Sequence, residues 1–202
     1  MRRLLLLSAL LPAPASAGAL SDLLMAPTVF ADAAAGSEIA YAEERTVPEG
    51  GTLESVTGGA VRLEVKAEGD KRALLLVKER DGKAQPVGTF PTAAANPLLL
   101  YFLETTVRAT AEATGGSPYY IRNRIREALV AADLGAGEGP REVTLTPFAA
   151  DPNRAKMGAF ADLTLRLRFD PARPAGILEL SADSAGGEGD YHERMVLIGE
   201  EN

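Results

Sequence analysis

The chain has 202 residues, with 21 Lys and Arg against 28 Asp and Glu, a net charge of −7 and no cysteine. Without cysteine the chain can form no disulfide, thiolate metal site, cysteine nucleophile or lipid-modified N-terminal cysteine. The acidic balance argues against nucleic acid as a partner, because affinity for nucleic acid comes mainly from a basic surface.

Residues 1–17 have the order typical of a secretory signal peptide. Met1-Arg2-Arg3 is followed by an apolar run from Leu4 to Leu11 and then by small residues that end at Ala17. The apolar run is too short to cross a bilayer, which needs ~20 apolar residues. We therefore predict a Sec-type signal peptide that is cleaved after Ala17, with a cut after Ala31 as the alternative.

Cleavage after Ala17 would leave about 185 residues, enough for one domain with its own core. We expect residues 18–36, which are rich in alanine, to form a weakly ordered lead-in. Residues 37–202 are then predicted to be a single periplasmic domain, soluble and without an integral membrane segment.

The first part of this domain alternates with a period of two, which is typical of strands with one buried face. In residues 60–68, for example, Val61, Leu63 and Val65 share one face. Two more segments, 37–47 and 72–82, are also predicted strands. The segment 72–82 is apolar on both faces from Ala73 to Val77. We predict that the three segments form an antiparallel meander and that residues 72–82 are the best candidate for a central strand of the sheet.

At Asn96 the pattern changes to that of a helical hairpin. Asparagine before Pro97 is a strong helix start, and Gly115 suits the left-handed position that ends a helix. Ser117 and Pro118 then repeat the start signal. The second helix has its apolar residues on one stripe, formed by Ile121, Ile125, Leu129 and Ala132. A very short loop should therefore join two antiparallel helices.

After the hairpin, period two returns in four segments that are separated by Gly and Pro. These segments are 141–148, 161–170, 175–182 and 191–199. The predicted fold class is therefore α+β: a curved, largely antiparallel sheet of about seven strands, three and then four, with a central helical hairpin packed on its apolar face.

The start of the first helix carries more apolar surface than one flat sheet can cover. Residues 98–103 are apolar on every side of the helix. Either the sheet curls around the hairpin as a half-barrel, or another molecule completes the cover. Sheets curled around helices also build periplasmic lipoprotein carriers, and this analogy of fold favours an apolar ligand.

No segment carries a strong catalytic or metal motif. The acidic stretch 151–162 lacks the calcium-loop pattern, because Ala155 and Lys156 stand where an oxygen ligand and a glycine are required. The glycine pairs do not form phosphate loops. His192, the only histidine, lies beside Glu188, Asp190 and Glu193, and we expect it at the surface at the start of the last strand.

The arginine row of the second helix does not form one patch. Arg122 and Arg126 are one turn apart and flank the apolar stripe, whereas Arg124 lies on another side. These side chains are expected to be solvated, to pack over the sheet edge or to pair with carboxylates. An anion site at the helix N-terminus, formed by Tyr119, Tyr120 and Arg122, is the alternative.

The predicted function is binding without catalysis: an exported protein that takes an apolar or amphipathic ligand, such as a lipid, or an envelope protein partner. We expect no metal and no cofactor. The candidate ligand-binding residues are Leu99, Tyr101, Phe102, Tyr119, Tyr120 and, as polar anchor, Arg122.

Two other functions stay open from the sequence. One is a periplasmic hydrolase-type enzyme that uses His192 with a nearby carboxylate. The other is a structural or assembly factor that docks through the helical hairpin.

Overall fold

The computed structural model describes residues 30, 32–133, 139–170, 172–173, 176–184 and 190–201. The predicted signal peptide and most of the lead-in lie outside the described residues. The elements are β1 Glu38–Thr46, β2 Val56–Glu68, β3 Lys71–Arg80, β4 Lys83–Pro91, α1 Pro97–Thr114, α2 Pro118–Ala131, β5 Arg141–Leu145, β6 Thr164–Phe169, β7 Ile177–Asp183 and β8 His192–Glu201.

One curved antiparallel sheet contains all eight of these strands, in the order β4-β3-β2-β1-β8-β7-β6-β5. Each half of the chain forms a meander of four strands, and the first and last strands join the halves at the centre of the sheet. As far as the structure describes the chain, the sheet does not close, and β4 and β5 form its edges. The predicted α+β class and half-barrel are therefore confirmed, with one strand more than the predicted seven.

The additional strand is β4, at the edge of the sheet. Its sequence KAQPVGTFP contains proline and glycine, which usually indicate a loop. Pro86 is tolerated because an edge strand has one side on which no ladder hydrogen bond is needed. The pairing with β3 also shifts register between Leu76 and Val77.

Helix α1 begins and ends where the sequence predicts. The Asn96 side-chain oxygen accepts hydrogen bonds from the backbone N–H groups of Leu98 and Leu99, at 3.0 and 3.5 Å. At the other end, Gly115 has φ of 66° and its N–H donates to the carbonyl of Ala111. These two caps satisfy backbone groups that a helix leaves unpaired at its ends.

The core lies between the helices and the concave face of the sheet. Of the stripe predicted on α2, Ile121, Ile125 and Leu129 are buried, whereas Ala132 is half-buried and follows the last residue of the helix. Residues 97–103 of α1 are all buried or half-buried, as their apolar composition predicts. Between β5 and β6, two short 3-10 turns lie at Arg154–Lys156 and Gly158–Asp162, and Met157 and Phe160 of this segment are buried in the core.

Candidate functional site

The concave face of strands β1 to β4 changes from apolar to charged along its length. On β1 the inward positions are Ile39 and Tyr41 and then, with the alternation unbroken, the buried Glu43 and Arg45. Strand β3 makes the same change, whereas the inward residues of β2 there are Val56 and Gly59. Leu74 and Leu76 of β3 are followed by Lys78 and Arg80, which pair in register with Gln85 and Lys83 of β4. Register therefore gathers the charged side chains into one half of the face.

Glu43 is the centre of a buried ion-pair network. Its carboxylate accepts hydrogen bonds from the guanidinium groups of Arg45 and Arg80 and from the Tyr101 hydroxyl, the last at 3.2 Å. Both guanidinium groups also lie 3.2 Å from the Tyr101 oxygen. Glu43 itself is completely buried. A buried carboxylate is costly unless it is paired, and here two cations and a hydroxyl compensate it.

Arg80 reaches Glu43 because the residue between them is glycine. Glu43 pairs in register with Gly59 of β2. A Cβ at position 59 would lie 2.8 Å from Nη1 of Arg80 and 2.5 Å from Cγ1 of Val56. The missing side chain therefore leaves the space through which the Arg80 guanidinium passes.

Glu193 of β8 extends the network on the other side of Arg45. Nε of Arg45 donates to Oε1 of Glu193 at 3.2 Å, and the Thr105 hydroxyl lies 3.0 Å from the same oxygen. The Tyr191 hydroxyl donates to the other carboxylate oxygen and lies 3.3 Å from the Thr106 hydroxyl. The ring of Tyr191 stacks on Phe160 at 5.7 Å. Glu193 is thus held by groups from β1, from α1 and from Tyr191, which directly precedes β8.

Burial and charge shift the pKa values of these groups. Burial raises the pKa of Glu193 from 4.5 to about 7, although Arg45 and the Tyr191 hydroxyl act in the opposite direction. Burial and the Glu43 charge raise the pKa of Tyr101. Burial lowers the pKa of Arg45, but Glu193 and Glu43 outweigh this and raise it overall. At neutral pH the network therefore holds two cations and a Glu193 that is partly protonated.

A stripe of polar residues on helix α1 faces this charged half of the sheet. Tyr101, Thr105, Arg108 and Glu112 recur at helical spacing and so share one side of the helix. The Glu112 carboxylate accepts hydrogen bonds from the backbone N–H groups of Thr52 and Leu53, at 2.8 and 3.1 Å. It thereby anchors the loop between β1 and β2 to the helix.

A cleft remains between this stripe and strands β1 to β4. One part of it encloses about 410 Å³, and its lining includes Arg45, Lys78, Arg80, Lys83 and Tyr101. A neighbouring part of about 360 Å³ shares Tyr101 and Lys78 and adds the apolar wall of Pro86 and Val87. The two parts form a continuous surface with a cationic end and a more apolar end. We call it the α1–β4 cleft.

The comparisons with known proteins give no family. No family model and no curated protein matches the chain. A solved structure, the Mycobacterium tuberculosis lipoprotein LppX, aligns over 91% of this chain and 95% of its own, at 11% sequence identity and a TM-score of 0.34. A TM-score of 0.34 is too low to treat the two folds as the same.

The structure places three of the candidate residues at the start of α1. Tyr101 lines both parts of the cleft, and its hydroxyl donates a hydrogen bond to Glu43 of the ion-pair network. Leu99 and Phe102 are completely buried in the core, so neither is accessible to a ligand in this structure.

The other three candidates lie on α2 and do not meet at one site. Tyr119 is 73% exposed. Tyr120 is half-buried, and its hydroxyl donates to the buried carboxylate of Asp151. Arg122 is exposed and forms a bidentate pair with Glu104 of α1. Tyr120 and Arg122 therefore link α2 to the turn at Asp151 and to α1.

His192 lies on the opposite face of the sheet from the cleft. Tyr191 and Glu193 point inward, so alternation directs His192 outward, where its side chain is exposed. Its Nδ1 lies 2.6 Å from Oδ1 of Asp183 on β7. Neither part of the α1–β4 cleft is lined by His192.

The sequence analysis named Glu193 only as a neighbour of His192 and did not identify Glu43, Arg45 and Glu193 as inward-facing residues, although a signal for this was present. The period that places Ile39 and Tyr41 inward also places Glu43 and Arg45 inward. The corresponding signal for Glu193 is its position between Tyr191 and Met195. Continuing each alternation past the last apolar residue would have identified these inward charges.

Proposed function

We propose that this chain is an exported binding protein that holds an amphipathic ligand in the α1–β4 cleft without transforming it. The observation that carries the proposal is the charged half of the concave sheet face, which is covered by a polar helix stripe and yet leaves a cleft. A sheet that served only to pack its helices would have apolar side chains at these positions.

The size and lining of the cleft support a small-molecule ligand. Its two parts, of about 410 and 360 Å³, are within the range of ligand pockets. Pro86, Val87 and the Tyr101 ring offer apolar contact, while Lys78 and Lys83 offer charge. An amphipathic molecule would match both ends.

The buried carboxylates favour binding over catalysis. A general acid or base must come within hydrogen-bond reach of the reacting atom. Glu43 and Glu193 have no exposed surface, and their oxygens are occupied by Arg45, Arg80, Tyr101, Thr105 and Tyr191. Both carboxylates thus support the floor of the cleft from beneath it.

The geometry supports docking through the helical hairpin less well. Tyr119 and Val130 are the exposed large apolar residues of α2, and they lie roughly 16 Å apart along the helix. Exposed charged residues, among them Arg122, lie between them. Single apolar side chains of this kind are ordinary on a protein surface.

Export is proposed from the N-terminal sequence. The basic start, the short apolar run and the small residues before Gly18 are typical of a signal peptide. Among the described residues, no helix is long and apolar enough to span a membrane.

A fluorescent probe and two tryptophan variants test binding in the cleft. N-phenyl-1-naphthylamine, a neutral apolar dye, should become brighter with the wild-type protein. Gln85→Trp places a large side chain at a position that lines both parts of the cleft, whereas Ala84 is exposed and alternates to the outer face of the same strand. We expect Gln85→Trp to weaken dye binding about tenfold and Ala84→Trp to leave it unchanged. Equal binding by both variants, or none by the wild type, would refute the proposal.

A further inference from the structure

We infer that the ligand of the α1–β4 cleft carries an oxyanion head, a carboxylate or a phosphate ester, and that Lys78 and Lys83 recognise it. This inference rests on the proposed binding function and adds the chemical class of the ligand. It also assigns a specificity role to residues of the β3–β4 hairpin.

The charge of the cleft lining is opposite to that of the whole chain. The protein has a net charge of −7. The larger part of the cleft is nevertheless lined by five basic side chains and only two acidic ones, Glu54 and Asp81. The basic residues are Arg45, Lys78, Arg80, Lys83 and Arg108. A local surplus of cations in an acidic protein favours an anionic ligand.

Three of these cations are already engaged within the protein. Arg45 and Arg80 hold Glu43, and Arg108 lies 3.7 Å from Glu112. Arg80 also donates to the carbonyl groups of Ala60 and Glu79. Glu43 and Glu193 balance the charges of Arg45 and Arg80. Arg108 donates to the Thr52 hydroxyl at 3.3 Å beside its Glu112 partner.

Lys78 and Lys83 are the cations that remain available. Among the residues that the structure describes, no carboxylate lies within ion-pair distance of either ammonium group. A lysine ammonium has three donors and no fixed plane, so it can meet an oxyanion from several directions. The register of β3 and β4 brings the two lysines to the same part of the sheet, because Lys78 pairs with Gln85 and Lys83 pairs with Arg80.

The layout of the cleft also orients the ligand. Lys83 and Arg80 line only the larger part, whereas Pro86 and Val87 line only the neighbouring part. Lys78 and Tyr101 line both parts. The head is therefore placed toward Lys83 and the chain toward Val87, with Lys78 between them.

Competition between matched compounds tests the inference. Decanoate, decyl phosphate and decanol share one chain length and differ in charge, and each is titrated against the protein with bound N-phenyl-1-naphthylamine. We expect the two anions to displace the dye at about tenfold lower concentration than decanol. Inorganic phosphate and acetate, which lack the chain, should not displace it.

Two double variants identify the residues that recognise the head. Lys78→Gln with Lys83→Gln should remove the advantage of the anions, so that decanoate, decyl phosphate and decanol displace the dye from this variant at similar concentrations. The control is Lys71→Gln with Lys156→Gln, which makes the same change of charge at exposed positions outside the cleft. It should leave the displacement by both anions unchanged.

The possible failures are distinguishable. Equal displacement by decanoate and decanol, or an unchanged anion preference in the Lys78 and Lys83 variant, would overturn the oxyanion head and leave the binding function intact. Displacement by inorganic phosphate as strong as by decyl phosphate would show a site for free anions and overturn the amphipathic ligand. Failure of the wild type to bind the dye or any decyl compound would refute both proposals.

Discussion

Glu193 makes the stability of the protein depend on pH near neutrality. Burial raises its pKa from 4.5 to about 7. Between these values the unfolded chain has lost the proton that the folded chain still holds. Stability is therefore greatest below the unfolded pKa and falls as the pH rises through the folded pKa, after which it no longer changes through this group. The pKa difference corresponds to a loss of about 3 kcal/mol.

We predict that Glu193→Gln removes this part of the pH dependence. The amide preserves the shape of the side chain, and its oxygen can still accept from Arg45 and Thr105, but it cannot ionise. Urea denaturation between about pH 4 and pH 8 measures the free energy of unfolding. The difference in the free energy of unfolding between wild type and variant should change by about 3 kcal/mol from the acid to the alkaline end of this range. A difference independent of pH would contradict the raised pKa.

Gly59 supplies a second prediction at a single residue. A methyl group there would meet both Arg80 and Val56, so the guanidinium would have to leave Glu43 or β2 would have to shift. We expect Gly59→Ala to lower the free energy of unfolding by about 1–3 kcal/mol. Gly199→Ala is the matched control, because a Cβ at Gly199 would meet no atom of the described residues within 4 Å. Equal stability of the two variants would contradict the role of this space.

The alternation of residues predicted which apolar side chains point inward but gave no reason to keep charged ones inside. Glu43 can stay buried because Arg80 and Tyr101 reach it from other elements. These partners are distant in the sequence, and the pairing of β1, β2 and β3 is needed to bring them together. A period of two does not contain that information.

Helix α1 shows which element boundaries can be read from sequence. Asn96, Pro97 and Gly115 act locally, through the backbone groups at the helix ends, so their effect does not depend on the remainder of the fold. Strand β4 is the opposite case. Its sequence predicts a loop, and it becomes a strand because β3 offers it an open edge.

The two helix starts differ in strength although their sequences look alike. The Asn96 side chain accepts two backbone hydrogen bonds, whereas the Ser117 side chain makes none as a cap. We expect Asn96→Ala to lower the free energy of unfolding by about 1–2 kcal/mol and Ser117→Ala by less than about 0.5 kcal/mol. Thermal and urea denaturation of both variants measures this. A larger loss for Ser117→Ala would contradict the capping assignment.

At the scale of the whole molecule, the half-barrel was predictable and the cleft was not. Residues 98–103 of α1 carry apolar side chains in every direction, which favours cover by a curved sheet, and the sheet is curved. The cleft, in contrast, is space left between α1 and four strands, and no segment of sequence encodes it. The predicted residues accordingly included Tyr101, whereas the lysines of β3 and β4 had no apparent role.

The proposed export gives a prediction about the mature chain. Expressed in a Gram-negative host, the protein should be recovered from the periplasm with Gly18 as its first residue, as measured by intact mass and N-terminal sequencing. Replacing Ala15 and Ala17 with Gln should block cleavage, because the peptidase requires small residues there. Full-length protein in the cytoplasm of cells expressing the wild type would contradict export.

The most direct measurement is the NMR spectrum of the ¹⁵N-labelled protein during titration with decanoate. Binding in the α1–β4 cleft predicts that the largest amide shifts fall on residues 78–87 of the β3–β4 hairpin and on residues 101–108 of α1. Shifts centred instead on Tyr119 to Arg122 at the start of α2, or no shifts up to saturating decanoate, would contradict ligand binding in this cleft.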